Sequence, residues 1–135
     1  MRYLLDTNIC SYILKNRPVS VKQKFDEVGA EHLCISSVVL AELYYGAARH
    51  PKSVTIRKEI DDFVSRLSVV AWDEQAANHY GAIRTALEKA GTPVGAMDML
   101  IAAHARSMKA TLVTNNLREF ERIDGLAVQN WVDQG

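Results

Sequence analysis

Three acids in this chain, Asp6, Glu42 and Asp98, stand among apolar residues with no local partner to account for them. Tyr3-Leu4-Leu5 precedes Asp6, Val38-Val39-Leu40-Ala41 precedes Glu42, and Met99-Leu100-Ile101 follows Asp98. Desolvating a carboxylate is costly unless a positive charge or a set of hydrogen bonds compensates it. Glu42 and Asp98 fall in helical patterns, yet neither has a Lys or Arg three or four residues away. The neighbours at those spacings are Val38, Val39, Tyr45 and Gly46 for one, and Val94, Gly95, Ile101 and Ala102 for the other. An intrahelical salt bridge is therefore ruled out, and a divalent cation shared by all three acids is the economical alternative. Oxygen donors without thiolates or clustered imidazoles select Mg2+, with Mn2+ as substitute, over zinc or copper. Such a site activates water and neutralises a phosphate under attack, so phosphodiester hydrolysis is the implied reaction.

Each acid also has a local explanation. Asp6 fits a helix N-cap. Asp98 lies in the first turn of a helix, where the macrodipole favours negative charge. Glu42 could be a partly exposed helical position, and Asn116 is an ordinary turn residue. The joint reading gains force from position, because all four should meet at one edge of the fold. His104 follows Asp98 by six residues, off its helical face, and reads as a packed or surface histidine. Trp72 and Trp131 read as core or interface anchors, and Met97, Met99 and Met108 as core or interface filler.

The elements that must position these residues alternate regularly. Strands are expected at 1–5, 32–35, 68–72, 111–113 and 126–129. Between them lie helical patterns after Asp6-Thr7-Asn8, from Pro18 to near Gly29, from Ser36-Ser37 through Ala48, and over 53–67. Two more helices follow, one from Asp73 to Ala90 stopping at Gly91, the other over 96–108. Alternation of this kind makes a parallel sheet with helices on both faces, which binds ligands at the carboxyl ends of its strands. Asp6 and Asn116 follow two of those strands, and Glu42 lies on the helix leaving a third.

With 135 residues the chain is expected to form one domain, 1–135. Sixteen basic residues balance sixteen acidic ones, so no global field draws it to nucleic acid or membrane. If a metal neutralises three acids, the thirteen left face sixteen bases and the exterior is mildly positive, which suits a polyanion without predicting one. Cys10 and Cys34 have no redox or metal spacing and read as small core residues, a disulfide between them being left open. No apolar run reaches bilayer length, and Asp6 interrupts the first one too early for a signal peptide, so the cytoplasm is the expected compartment. Neither a glycine-rich phosphate loop nor a Ser-His-Asp arrangement is present.

Leu4-Leu5-Asp6-Thr7-Asn8, Ile35-Ser36-Ser37 leading to Ala41-Glu42-Leu43, Asp98 before Leu100-Ile101-Ala102, and Leu112-Val113-Thr114-Asn115-Asn116 resemble the four signature blocks of PIN-domain ribonucleases. Their order, spacing and total length resemble the VapC toxins of bacterial toxin–antitoxin pairs. So do Gly91-Thr92-Pro93-Val94-Gly95 and the run from Val113 to Arg122. The resemblance covers essentially the whole chain. It implies a PIN-like three-layer α/β/α sandwich around a short central parallel sheet, and a magnesium- or manganese-dependent endoribonuclease that inhibits translation. Asp6, Glu42 and Asp98 match the family's acidic triad, and Asn116 a fourth position that is often Asp. Thr7 and Asn8 match polar positions beside the first acid, and Thr114 a hydroxyl that orients the cluster. Ala96-Met97-Asp98-Met99 departs from the family pattern, which tends to carry Pro and an aromatic before the acid and Gln after it. That departure bears on substrate preference and local packing.

The resemblance further implies a homodimer and a cognate VapB-like antitoxin whose C-terminal segment lies in the active-site groove, with an arginine against the acids. The implied substrate is RNA, expected to be tRNA and within it the anticodon stem-loop of the initiator. Lys15, Arg17, Arg49, Arg84 and Arg118 are candidates for phosphate contact. Two other readings remain. A binding module would use the acids for a structural cation or a basic peptide, without turnover. A doubly wound phosphatase would use Asp6 as nucleophile, but Asn8 stands where its acid–base Asp is needed. A receiver domain lacks the paired acids after its first strand.

Overall fold

The computed structural model describes residues 2–132. Five strands, β1 (Tyr3–Leu5), β2 (Leu33–Ser36), β3 (Ser68–Val70), β4 (Thr111–Val113) and β5 (Val128–Gln129), form one sheet in the order β3-β2-β1-β4-β5. Every pairing is parallel. The three central strands are short and almost wholly apolar, as strands covered on both faces must be. Leu4, Leu5, Ile35, Leu112 and Val113 have no exposed surface, and each such side chain contributes about 2 kcal/mol by leaving water.

The helices are α1 (Thr7–Lys15), α2 (Val19–Val28), α3 (Ser37–Ala48), α4 (Ser53–Ser65), α5 (Glu74–Ala90), α6 (Ala96–Met108) and α7 (Leu117–Phe120). From β1 to β3 the chain steps outward in one direction, then returns across the sheet to β4. Right-handed crossovers therefore put α5 and α6 on the face opposite the helices that precede them, giving an α/β/α sandwich. The order reverses between β1 and β4, which makes the carboxyl ends of those two strands the natural crevice.

Capping chemistry fixes where the helices begin. The Asp6 carboxylate accepts from Ile9 N at 2.9 Å, Ser36 Oγ from Val38 N at 3.1 Å, and Asp73 from Ala76 N at 3.0 Å. Gly91 ends α5 at φ 69°, a left-handed position that glycine occupies without steric cost.

Several boundaries move from the sequence expectation. A 3-10 turn at Ala30–His32 delays β2 to Leu33. The third strand stops at Val70, because Trp72 turns away to donate its backbone N–H to Ser37 Oγ and its indole N–H to the Leu100 carbonyl. The last strand is reduced to two residues, and the one-turn helix α7 was not expected at all. Met1, placed in the first strand by the sequence, lies outside the described residues. Cys10 and Cys34 are both buried free thiols, so no disulfide joins them. Trp131 is a buried anchor beside Tyr3, with ring centroids 5.9 Å apart. His104 is fully buried, and neither ring nitrogen has a hydrogen-bond partner.

Candidate active site

Because β1 ends at Leu5 and β4 at Val113 in adjacent register, Asp6 and Thr114 emerge side by side at the carboxyl edge. Asp6 N donates to the Val113 carbonyl at 3.1 Å, locking that arrangement. Asp6 is only 6% exposed. Burial raises its pKa and the nearby Glu42 charge raises it further, while the Thr114 hydroxyl and the backbone N–H groups of Ile9 and Asn8 act in the opposite direction. The N-cap reading of Asp6 is thus correct, and the same capping bonds hold its carboxylate at the rim.

From α3, Glu42 reaches the same edge, where the Thr7 hydroxyl donates to its Oε1. From the first turn of α6 comes Asp98, whose carboxyl is pushed up to about 6. Burial is the main cause, followed by the negative charge of Glu119. The charges of Asp6 and Glu42 add to it, as does a hydrogen bond with Glu119 that the protonated form makes. Asp6, Thr7, Asn8, Glu42 and Asp98 line one depression of ≈130 Å³, closed on the apolar side by Met97 and Ile101. Met97 is 40% exposed in this wall, so of the core and interface roles expected for it the core one does not hold.

Thr114 is fully buried, and its Oγ1 also accepts from Asn116 N at 3.0 Å. Asn116 itself begins α7 without making a side-chain cap and does not line the depression. The acid that α7 brings to Asp98 is Glu119, one turn further on. Nothing local in the sequence marks Glu119, because α7 is a single turn and its approach to Asp98 is a tertiary contact.

The clustered carboxylates, with the pKa values of Asp6 and Asp98 raised in part by neighbouring acids, form a site short of positive charge with a donor set of hard oxygens. Among the described residues no three His, Cys, Asp or Glu side chains close into a ready ligand cage. Magnesium asks for less than that, because it keeps most of its waters and takes one or two carboxylates directly. An open acidic depression fits such an ion.

A profile of the PIN domain matches residues 3–126. The tRNA(fMet)-specific endonuclease VapC of Shigella flexneri is 46% identical over 131 residues, covering 97% of this chain and 98% of the relative. The chain belongs to the VapC ribonuclease toxins of the PIN-domain family. The tRNA(fMet)-specific endonuclease VapC of Salmonella typhimurium is 44% identical over 97% of this chain and 98% of the relative. Among solved structures, a chain of the VapBC2 complex from Rickettsia felis, bound to promoter DNA, superposes with a TM-score of 0.92 at 41% identity. That match covers 98% of this chain and 100% of the other. A chain of the Salmonella VapBC complex, also DNA-bound, gives 0.92 at 43% identity over 98% and 99%. Among the described residues no helix is long and apolar enough to cross a membrane.

Proposed function

We propose that this VapC-family ribonuclease is a single PIN domain that cuts tRNA, with the initiator anticodon stem-loop as its target, through a magnesium or manganese ion held by Asp6, Glu42 and Asp98. The observation that carries the reading is the convergence of three elements distant in sequence on one depression, where each acid is held by side chains or charges from another element. The two relatives named for cleavage of tRNA(fMet) support the choice of substrate at 46% and 44% identity. Bound there, the metal would supply charge neutralisation on the scissile phosphate and acidity to the attacking water.

This chain's own residues prepare the site. Thr114 and the Ile9 N–H orient the Asp6 carboxylate, leaving oxygen lone pairs free toward the depression. Thr7 does the same for Glu42. Asp98 hydrogen-bonds to Glu119 when it is protonated, and a cation at the site would displace that proton. Asn116 supports Thr114 by donating its backbone N–H to the Thr114 hydroxyl oxygen. A cation competes with protons for these oxygens, so activity should fall as pH drops.

A VapB-like antitoxin is the natural partner, because an anionic depression accepts an arginine guanidinium as readily as a metal. Complexes of toxin with antitoxin among the similar solved structures support this, and we extend it to a homodimer of the chain. End-mapping of cellular RNAs after a short pulse of expression tests the proposal. New 5′ ends confined to the initiator anticodon stem-loop are expected, and absence of any new RNA ends refutes it.

A further inference from the structure

Beside the acidic depression lies a larger groove of ≈490 Å³, bounded by α1, α3 and α4. Thr7 and Glu42 line both, so the hydrogen-bonded pair they form is a shared wall. A polymer with one phosphate over the acids must leave the depression past its rim, and this groove is the exit that crosses that wall.

The lining of the groove is unusual for an acid-site neighbour. Tyr45 is 65% exposed, and the Arg49 guanidinium lies 5.1 Å from its ring centroid. Lys15 ends α1 on the opposite side. Among the described residues neither Lys15 nor Arg49 is in an ion pair, in contrast to Lys22, Arg57, Arg66 and Arg84. His50 also lines the groove, and its Nδ1 accepts from Lys52 N at 2.9 Å. Leu14, Leu43, Ile56 and Ile60 give an apolar floor, and Glu59 stands on the far wall, shared with a separate hollow between α1 and α4. An exposed aromatic face, an apolar floor and unpaired cations make a stacking platform with phosphate contacts, the combination that single-stranded nucleic acid uses.

We propose that this groove binds the nucleotide next to the scissile phosphate, with its base stacked on Tyr45 and its phosphate held by Lys15 and Arg49. The inference rests on the ribonuclease reading above and adds the positioning subsite that reading lacks. Tyr45, Lys15 and Arg49 are exposed, so their substitution spares the core. The test uses the full chain and a labelled RNA stem-loop, with affinity measured in chelator and cleavage in Mn2+. Tyr45→Ala should raise KM about tenfold, the scale of one lost stacking contact, with kcat within about twofold, and Tyr45→Phe should restore it. The double variant Lys15→Ala/Arg49→Ala should weaken RNA binding and flatten its salt dependence.

If the unaltered chain cleaves RNA while both variants keep its KM and RNA affinity, the groove assignment is overturned and the ribonuclease reading stands. Variants that keep RNA affinity but lose a basic antitoxin tail peptide would overturn it in favour of a protein occupant. If the unaltered chain neither binds nor cuts RNA, the ribonuclease reading itself fails and the subsite with it.

Discussion

Replacing Asp98 with Asn should stabilise the metal-free protein while removing its activity. In the folded chain the Asp98 carboxyl titrates near 6 rather than at 3.8, chiefly from burial and the neighbouring Glu119. Keeping it ionised at pH 7.5 therefore costs folding free energy. At ~1.4 kcal/mol per pH unit the full rise would amount to ~3 kcal/mol, which solvent screening at this half-buried position reduces to about 1–1.5 kcal/mol. Asparagine removes the charge, and its amide can still donate to Glu119. In a chain of this size that gain corresponds to roughly 3–6 °C in Tm.

The sign of the pH dependence is fixed. Between pH 3.8 and 6 the folded state binds more protons at Asp98 than the unfolded state, so wild-type stability falls as pH rises through that window. The advantage of Asp98→Asn should be full at pH 7.5 and mostly gone by pH 4.5. Thermal melts in chelator at both values provide the assay. Adding Mn2+ should reverse the order, because only the wild type gains substantially by mass action. A Tm for Asp98→Asn several degrees below wild type at pH 7.5 in chelator would refute the reasoning, since it would make Asp98 a structural anion.

His104→Leu fills a similar volume without the two unpartnered nitrogens and should raise Tm at pH 7 by the equivalent of about 1–3 kcal/mol. Burial lowers the His104 pKa, so its wild-type destabilisation grows as pH falls below 6.5, and the gain in Tm should be larger at pH 5.5; a loss of Tm at both pH values would mean the ring is satisfied. Thr114→Val removes the hydroxyl that holds the Asp6 pKa down. Manganese titrations followed across pH should then show half-maximal binding displaced to higher pH, and an unmoved midpoint would show that Thr114 does not tune Asp6.

Much of this architecture is written locally. Asp6, Ser36 and Asp73 each cap a helix through a side-chain bond within three residues, and Gly91 ends α5 by its own backbone conformation. The short apolar strands could be read as buried on both faces because parallel sheets leave no polar side. The same locality puts Asp6, Glu42 and Asp98 on one rim once strand order is inferred. Glu119 was not legible, because α7 is a single turn with no apolar periodicity and its approach to Asp98 is a tertiary event. The Tyr45 groove was hidden for the same reason. Lys15 and Arg49 were among five basic candidates, and only the packing of α1, α3 and α4 brings them together, while Arg84 is taken up by Tyr80 and Glu88 on α5.

The central claim is that the acids at this rim hold the metal that cleaves RNA. Its most direct test is the single-turnover cleavage rate of a labelled initiator anticodon stem-loop as Mn2+ is titrated, for the wild type and for Asp98→Asn side by side. We expect saturable, fully chelator-sensitive cleavage by the wild type and a loss of at least a hundredfold in the variant across the titration. Wild-type cleavage that persists at the same rate in excess chelator, or an Asp98→Asn rate equal to wild type at every Mn2+ concentration, would contradict it.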